Sequence, residues 1–340
     1  MRILVLGGTR FIGLHAVRQL ASEGHELKLF HRGNTKPALP DGVTEILGDR
    51  KNIRDFVSTF AGFKPDAVID MMGLTEFDGF ELVDIFRGMT GRLVVISSAD
   101  VYRAYDRLRG ADPGEPDPTP LTEESPLRDK MYPYRDMCKS EEDRLWNYDK
   151  ILLERAAMSD PDNLPATCLR LPMVYGPEDY QKRTYPYLKR MLDGRDTILL
   201  ASEMAEWQGL RGYVEDMAVA ISLCTTSPSA ANKIYNAADK VCLTEMEWLK
   251  QIAVAANWNG QIVTMPNADL PKHLQEDYIW SQQWSLDSAK IRMELGYKEI
   301  IEPAVAMQRT VKWQSANMPT EFETEAFNFD AEDAVIANLK

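Results

Sequence analysis

The feature that most constrains this chain is the run Gly7-Gly8-Thr9-Arg10-Phe11-Ile12-Gly13, which follows the apolar stretch Ile3-Leu4-Val5-Leu6 without a gap. Four apolar residues ending on paired glycines read as a buried strand that turns at once into a helix. Glycine lets the backbone turn tightly and lets a phosphate approach the free N–H groups at the helix start, where the peptide dipoles favour negative charge. The same turn can serve plain strand-to-helix packing, so its surroundings decide between the two readings.

Those surroundings alternate strand and helix. Strands are expected at Ile3–Leu6, Glu26–Phe30, Thr44–Leu47, Ala67–Asp70, Leu93–Ser97 and Thr167–Arg170, with helices at Gly13–Glu23, Ile53–Phe60, Glu76–Arg87 and Arg144–Met158. Ala67-Val68-Ile69 and Leu93-Val94-Val95-Ile96 are apolar at every position, the pattern of parallel strands buried on both faces. Right-handed crossovers between such strands make an α/β fold, a Rossmann-type doubly wound parallel sheet. In that setting Gly7, Gly8, Thr9, Arg10, Phe11, Ile12 and Gly13 read as a cradle for the pyrophosphate of a dinucleotide.

From Arg103 to Lys130 the pattern breaks, because Pro113, Pro116, Pro118, Pro120 and Pro126, with Gly110 and Gly114, forbid a regular element. A loop this long, directly after a central strand, reads as a lid or a substrate wall. Farther on, helices are expected at Tyr180–Asp193 and Thr244–Ala256, with a return strand at Ile234–Asn236. The expected organisation is a dinucleotide-binding domain over 1–170, with 211–240 returning to it. Residues 171–210 and 241–318 then form a smaller C-terminal substrate lobe, and 319–340 an acidic, loosely held extension.

Charge narrows the partners. With 52 acidic and 39 basic residues the net charge is −13, which repels phosphate backbones and argues against nucleic acid. No apolar run approaches the roughly 20 residues that a membrane helix needs, and the start has no signal-peptide pattern, so a cytoplasmic protein is expected. Cys138, Cys168, Cys224 and Cys242, and His15, His25, His31 and His273, show no metal-ligand spacing. Reduced thiols and no metal are expected.

Cofactor choice turns on the end of the second strand, Leu29-Phe30-His31-Arg32. An acid there would accept from the ribose 2′-OH of NAD, whereas an Arg suits the 2′-phosphate of NADP. His31 and Arg32 stand in its place, and Arg10 fills a slot where the motif often has glycine, so NADP is favoured, with NAD as the alternative. Either arginine could instead merely cover the adenine face. Asp49, in Gly48-Asp49-Arg50, either accepts from the adenine amino group or is a solvated loop aspartate.

Five further segments follow in order: Ile96-Ser97-Ser98-Ala99-Asp100-Val101-Tyr102; Arg170-Leu171-Pro172-Met173-Val174-Tyr175-Gly176-Pro177; Arg211-Gly212-Tyr213-Val214-Glu215-Asp216-Met217-Ala218; Tyr235-Asn236; and Asp287 through Tyr297. With the glycine turn, they make the chain resemble the extended short-chain dehydrogenase/reductase family, which includes sugar-nucleotide epimerases and dehydratases. The resemblance implies a catalytic Ser, Tyr and Lys. The Lys holds the nicotinamide ribose and lowers the Tyr pKa, and the Tyr exchanges a proton with the substrate as hydride moves.

Ser98 and Lys150 match two of these. The tyrosine does not follow, since YxxxK would place it at Trp146 and the nearest is Tyr148. Positions two apart on a helix lie about 200° apart, so Tyr148 and Lys150 share a site only if the helix begins at Asp149 or its turn is shortened. Tyr148 is taken as the catalytic tyrosine; Tyr132, Tyr134 or no tyrosine at all are the alternatives. Asp100 and Tyr102, beside Ser98, and Tyr134, at the end of the loop, are substrate-side candidates. Arg211 matches an arginine that binds the diphosphate in relatives using sugar nucleotides, the alternative being an ion pair with Glu215 or Asp216. The family's usual Asn has no counterpart in Leu171-Pro172-Met173.

The resemblance thus implies an NAD(P)-dependent epimerase/dehydratase-like oxidoreductase acting on a sugar nucleotide or similar hydroxylated small molecule, as a homodimer. Two alternatives stand beside it. One is an NADPH-dependent carbonyl reductase; the other is a non-catalytic, cofactor-binding regulatory or RNA-binding protein, a role some relatives with a similar opening have.

Overall fold

Alternate side chains along each central strand feed two separate cores, and that alternation organises the molecule. The computed structural model describes residues 1–319 and 324–339. Strands β1 (Arg2–Leu6), β2 (Glu26–His31), β3 (Thr44–Leu47), β4 (Ala67–Asp70), β5 (Leu93–Ser98) and β6 (Ala166–Leu171) come first. They are followed by β7 (Met173–Tyr175), β8 (Thr197–Ala201), β9 (Arg211–Tyr213), β10 (Lys233–Asn236) and β11 (Gln261–Met265). Seven of them form one sheet in the order β10-β6-β5-β4-β1-β2-β3, parallel throughout. Two short parallel pairs, β7 with β9 and β8 with β11, lie outside it.

Ile3, Val5, Leu29, Ile69, Val94 and Ile96 point to one face, where they meet the helices Phe11–Ser22 and Val214–Thr226. Leu4, Leu6, Phe30, Val68 and Val95 point to the other, against Phe60, Leu82, Phe86 and Leu153 of the helices Val57–Phe63, Glu76–Phe86 and Lys150–Ala157. The first core continues without a break into Tyr175, Trp248, Ile252, Leu295 and Met307. The strand order reverses between β1 and β4, so the crevice that such sheets use for ligands opens at their C-terminal ends, beside Gly7.

Three expectations are corrected. The helix expected over Arg144–Met158 spans only Lys150–Ala157, because Asp149, in extended conformation, caps it by accepting from the Ile151 and Leu152 amides at 2.9 and 3.2 Å. The long loop, expected to hold no regular element and to form a lid or a substrate wall, opens with the helix Arg103–Leu108 and is anchored beyond it. Its Leu121 N–H donates to the Ser285 carbonyl (2.7 Å), its Asp117 N–H to Gln282 (2.7 Å), and the buried Arg128 donates to the main-chain oxygen of Asp100 at 2.5 Å. It is an anchored wall.

The C-terminal segment is not loosely held where it is described. Glu332, 0% exposed, accepts from Arg190 at 2.6 Å and lies 3.0 Å from His273 Nε2, which fixes the helix Phe329–Ala337. A buried carboxylate must be paired, and this one is. The remainder of that expected extension, 320–323 and 340, lies outside the described residues. Among the described residues no helix is long and apolar enough to cross a membrane, and no group of three or more His, Cys, Asp or Glu is placed to hold a metal ion.

Candidate active site

The glycine turn is built as the sequence requires. Gly7 and Gly8 have φ of +97° and +85°, values that side-chain-bearing residues rarely adopt, and a Cβ on Gly13 would lie 2.8 Å from the Cα of Gly8. The helix Phe11–Ser22 then starts with no side chain capping it and no acid in its first turn. With no side-chain cap, the first amides and the positive end of the helix dipole suit an anion, so these residues fit a dinucleotide's pyrophosphate.

At the adenosine end the pair His31 and Arg32 divides. His31, 5% exposed, accepts from the Gly33 amide on Nδ1 (3.1 Å), and its Nε2 lies 2.8 Å from Glu45. Both nitrogens lie against protein atoms. Arg32 and Arg10 are exposed, and among the described residues neither has an ion-pair partner. The Asp49 carboxylate accepts from the Lys51 amide at 3.0 Å, a local cap.

At the open end of β5, side chains from four segments converge. Ser98 Oγ accepts from the Asp100 amide at 3.3 Å. The Tyr148 hydroxyl donates to Asp100 Oδ2 at 2.7 Å, the Tyr134 hydroxyl reaches the same oxygen at 2.8 Å, and Tyr105 lies 3.1 Å from Tyr134, hydroxyl to hydroxyl. Lys150 Nζ sits 5.9 Å from the centre of the Tyr148 ring and donates to the carbonyls of Gly73 (2.6 Å) and Ile96 (2.8 Å). Because the helix begins at Lys150, Tyr148 lies outside it, before the extended Asp149, and is free to face the lysine's side. The geometric condition for a shared site is met.

Burial first, and the Asp100 carboxylate second, push the Tyr148 phenol well above its usual value, while a hydrogen bond with Ser98 works the other way. Tyr134 is raised by the same two causes. Burial lowers Lys150, opposed by the negative charges of Asp100, Asp70 and Asp78.

Two substrate-side expectations change. Tyr102 is 0% exposed and is not brought to the cluster: its hydroxyl donates to Asn236 at 2.6 Å and accepts from Arg170 at 3.0 Å. It belongs to a buried network under the sheet end, where Arg170 also donates to Glu154 at 2.9 and 2.7 Å. Arg211 pairs with Glu245 rather than Glu215 or Asp216, donates to the Gly209 carbonyl (3.0 Å) and lies 4.4 Å over the Trp248 ring. Glu215 pairs with Arg309, and Asp216 takes the amides of Ile300 and Ile301.

Sequence reasoning missed Tyr105 and Arg183. The Tyr105 and Trp284 rings lie 5.1 Å apart. Arg183 is lowered mainly by burial, with the nearby charge of Arg211 adding to it. Neither has a spacing that announces it, since Tyr105 sits on the short helix Arg103–Leu108 and Arg183 on an irregular segment.

Comparison with known proteins agrees with this architecture. The family model described as the NAD dependent epimerase/dehydratase family matches residues 3–82 and 79–238. The chain is 28% identical over 249 residues to the chloroplast stem-loop binding protein of 41 kDa b of Arabidopsis thaliana, covering 69% of this chain but only 58% of that protein. It is 26% identical over 351 residues to the dTDP-glucose 4,6-dehydratase of Streptomyces niveus, covering 93% and 94%. The crystal structure of dTDP-glucose 4,6-dehydratase from Bacillus anthracis in complex with NAD matches with a TM-score of 0.68 at 19% identity, over 93% of this chain and 97% of that one, a likeness of fold. With the family model spanning well over half its length, the chain belongs to the NAD dependent epimerase/dehydratase family, within the extended short-chain dehydrogenases/reductases.

Proposed function

We propose that this protein uses NADP, with NAD as the second candidate, to move a hydride on and off a sugar nucleotide or a similar hydroxylated small molecule. The observation that carries the reading is the meeting of Ser98, Tyr148 and Lys150 at the crevice, despite a spacing that a continuous helix would forbid.

In this reading Gly7 to Gly13 hold the pyrophosphate, and Arg32 with Arg10 takes the 2′-phosphate. Lys150, with two of its three N–H donors on carbonyls, keeps one for a ribose hydroxyl. The bound nicotinamide supplies the hydride chemistry. Tyr148 exchanges a proton with the reacting oxygen and Ser98 orients that oxygen. Arg211 and Arg183 form the anion-binding end for a diphosphate. Residues 1–170 with 211–240 carry the cofactor, 171–210 and 241–318 the substrate, and the exposed Phe77 and Phe80 of one helix support a homodimer.

A panel of sugar nucleotides and carbonyl compounds tests this. Turnover without net change in reduced-nicotinamide absorbance marks an epimerase or dehydratase, and stoichiometric NADPH loss a reductase. The stem-loop binding named for the Arabidopsis relative supports a second, non-catalytic reading, against which the net charge of −13 stands. That reading wins if nothing in the panel turns over, stem-loop RNA binds, and Lys150→Ala leaves cellular function intact.

A further inference from the structure

One carboxylate at the site has no part in the scheme above. Asp100 is 4% exposed, takes two phenol donors on Oδ2, and leaves Oδ1 buried with no hydrogen-bond partner. A buried carboxylate oxygen left without a donor is costly to keep. In a Tyr–Lys pair the ammonium would stabilise a phenolate, but here Lys150 is held by the carbonyls of Gly73 and Ile96. The Tyr148 proton lies against Asp100 instead. The charged and titratable groups around this carboxylate are Lys150 from the helix Lys150–Ala157, Tyr105 from the helix Arg103–Leu108, and Arg128, Tyr134 and Tyr148 from the chain between those helices. Arg109 lies 5.2 and 5.4 Å over the Tyr105 and Tyr134 rings.

We propose that Asp100 is the proton store behind Tyr148, filled through the phenol as a substrate hydroxyl is oxidised and held in place by Tyr134. The inference rests on the reading of Tyr148 as the substrate-facing tyrosine. In the oxidising step the substrate C–H bond breaks and its electron pair leaves as hydride to the oxidised nicotinamide nucleotide, while the carbon–oxygen bond becomes double. The substrate O–H proton passes to Tyr148 Oη as the Tyr148 proton passes to Asp100 Oδ2. One O–H bond forms and one breaks on the tyrosine, which stays neutral, and Asp100 goes from carboxylate to acid. Reduction runs the same transfers backwards. Asp100 acts through Tyr148, so it is a positioning residue.

The test follows tyrosine ionisation in the whole protein, by tyrosinate absorbance and by ζ-carbon NMR of labelled tyrosine, with the Tyr148 signal assigned by its loss in Tyr148→Phe. In the wild type Tyr148 is expected to stay un-ionised beyond the ordinary phenol value of about pH 10. Asp100→Asn keeps the shape and removes the charge, and should lower the Tyr148 midpoint by at least about one pH unit. Ionisation of Tyr148 at or below about pH 9 in the wild type, or no movement in Asp100→Asn, overturns the proposal. If Asp100→Asn does not fold, the wild-type titration decides alone. No step needs a substrate, so a failed search for turnover leaves this result standing. Turnover by a protein whose Tyr148 ionises near neutrality would refute the store and keep the function.

Discussion

Asp149 is the residue on which the shared placement of Tyr148 and Lys150 depends, and its truncation makes a sharp test. One of its oxygens accepts from the Ile151 and Leu152 amides at 2.9 and 3.2 Å, and the other from the Tyr132 amide at 2.7 Å. Arg128, fully buried like Asp149, lies 3.5 Å away. Asp149→Ala removes a helix cap worth about 1 kcal/mol. It leaves the half-buried Tyr132 N–H unpaired, at about 1–3 kcal/mol. It also strips Arg128 of its carboxylate, a loss of about 3–5 kcal/mol that the remaining bonds of Arg128 to the Asp100 and Lys130 carbonyls hold to its low end.

The expected loss is about 5–7 kcal/mol. At about 2.1 cal/mol/K per residue over 340 residues, that lowers the melting temperature by about 7–10 °C. Calorimetry and urea titration read it directly. Asp149→Asn, which keeps an acceptor for the helix amides but turns a donor toward Tyr132, should lose roughly half as much. The stabilisation given by bound nucleotide should fall in parallel, because the Lys150 position moves. If Asp149→Ala lost less than about 1 kcal/mol and kept its nucleotide response, the cap would not be what starts this helix, and the account of the site would fail.

Three further outcomes are expected. Arg32→Asp should weaken NADPH about 10- to 100-fold, the value of one or two charge-assisted hydrogen bonds, and NADH little; equal losses in a fluorescence titration would remove the preference for NADP. Burial pushes the Asp239 carboxyl up to about 7, and the raised folded-state value means it favours folding while protonated. Stability from this group is therefore full below about pH 4 and lost as pH rises toward about 7; Asp239→Asn, which keeps an acceptor for the Tyr213 amide, should flatten that part of the urea-midpoint profile, and an unchanged profile would contradict the assignment. Glu332→Ala should cost about 3–5 kcal/mol by leaving Arg190 buried without its carboxylate, and expose the helix Phe329–Ala337 to limited proteolysis; wild-type resistance would show that the pair does not hold it.

The central sheet was legible because its chemistry is local and periodic. Ala67–Asp70 and Thr44–Leu47 fall where the apolar runs place them, and the Gly7–Gly13 turn states its own conformation, since only glycine tolerates the φ it needs. The start of the helix Lys150–Ala157 was legible only in part. Asp149 is a good N-cap type, but the helix-compatible residues from Arg144 onward hid it, and the Tyr132 amide that confirms it is 17 residues away. Nothing in periodicity could bring Tyr134 and Tyr148 onto one oxygen of Asp100, pair Arg211 with Glu245, or bury Tyr102 against Asn236. Strand and turn preferences act over a few neighbouring residues, so they are written along the chain. Which polar groups satisfy one another inside the crevice depends on what the folded sheet and the wall bring within hydrogen-bond reach, and that is settled only in three dimensions.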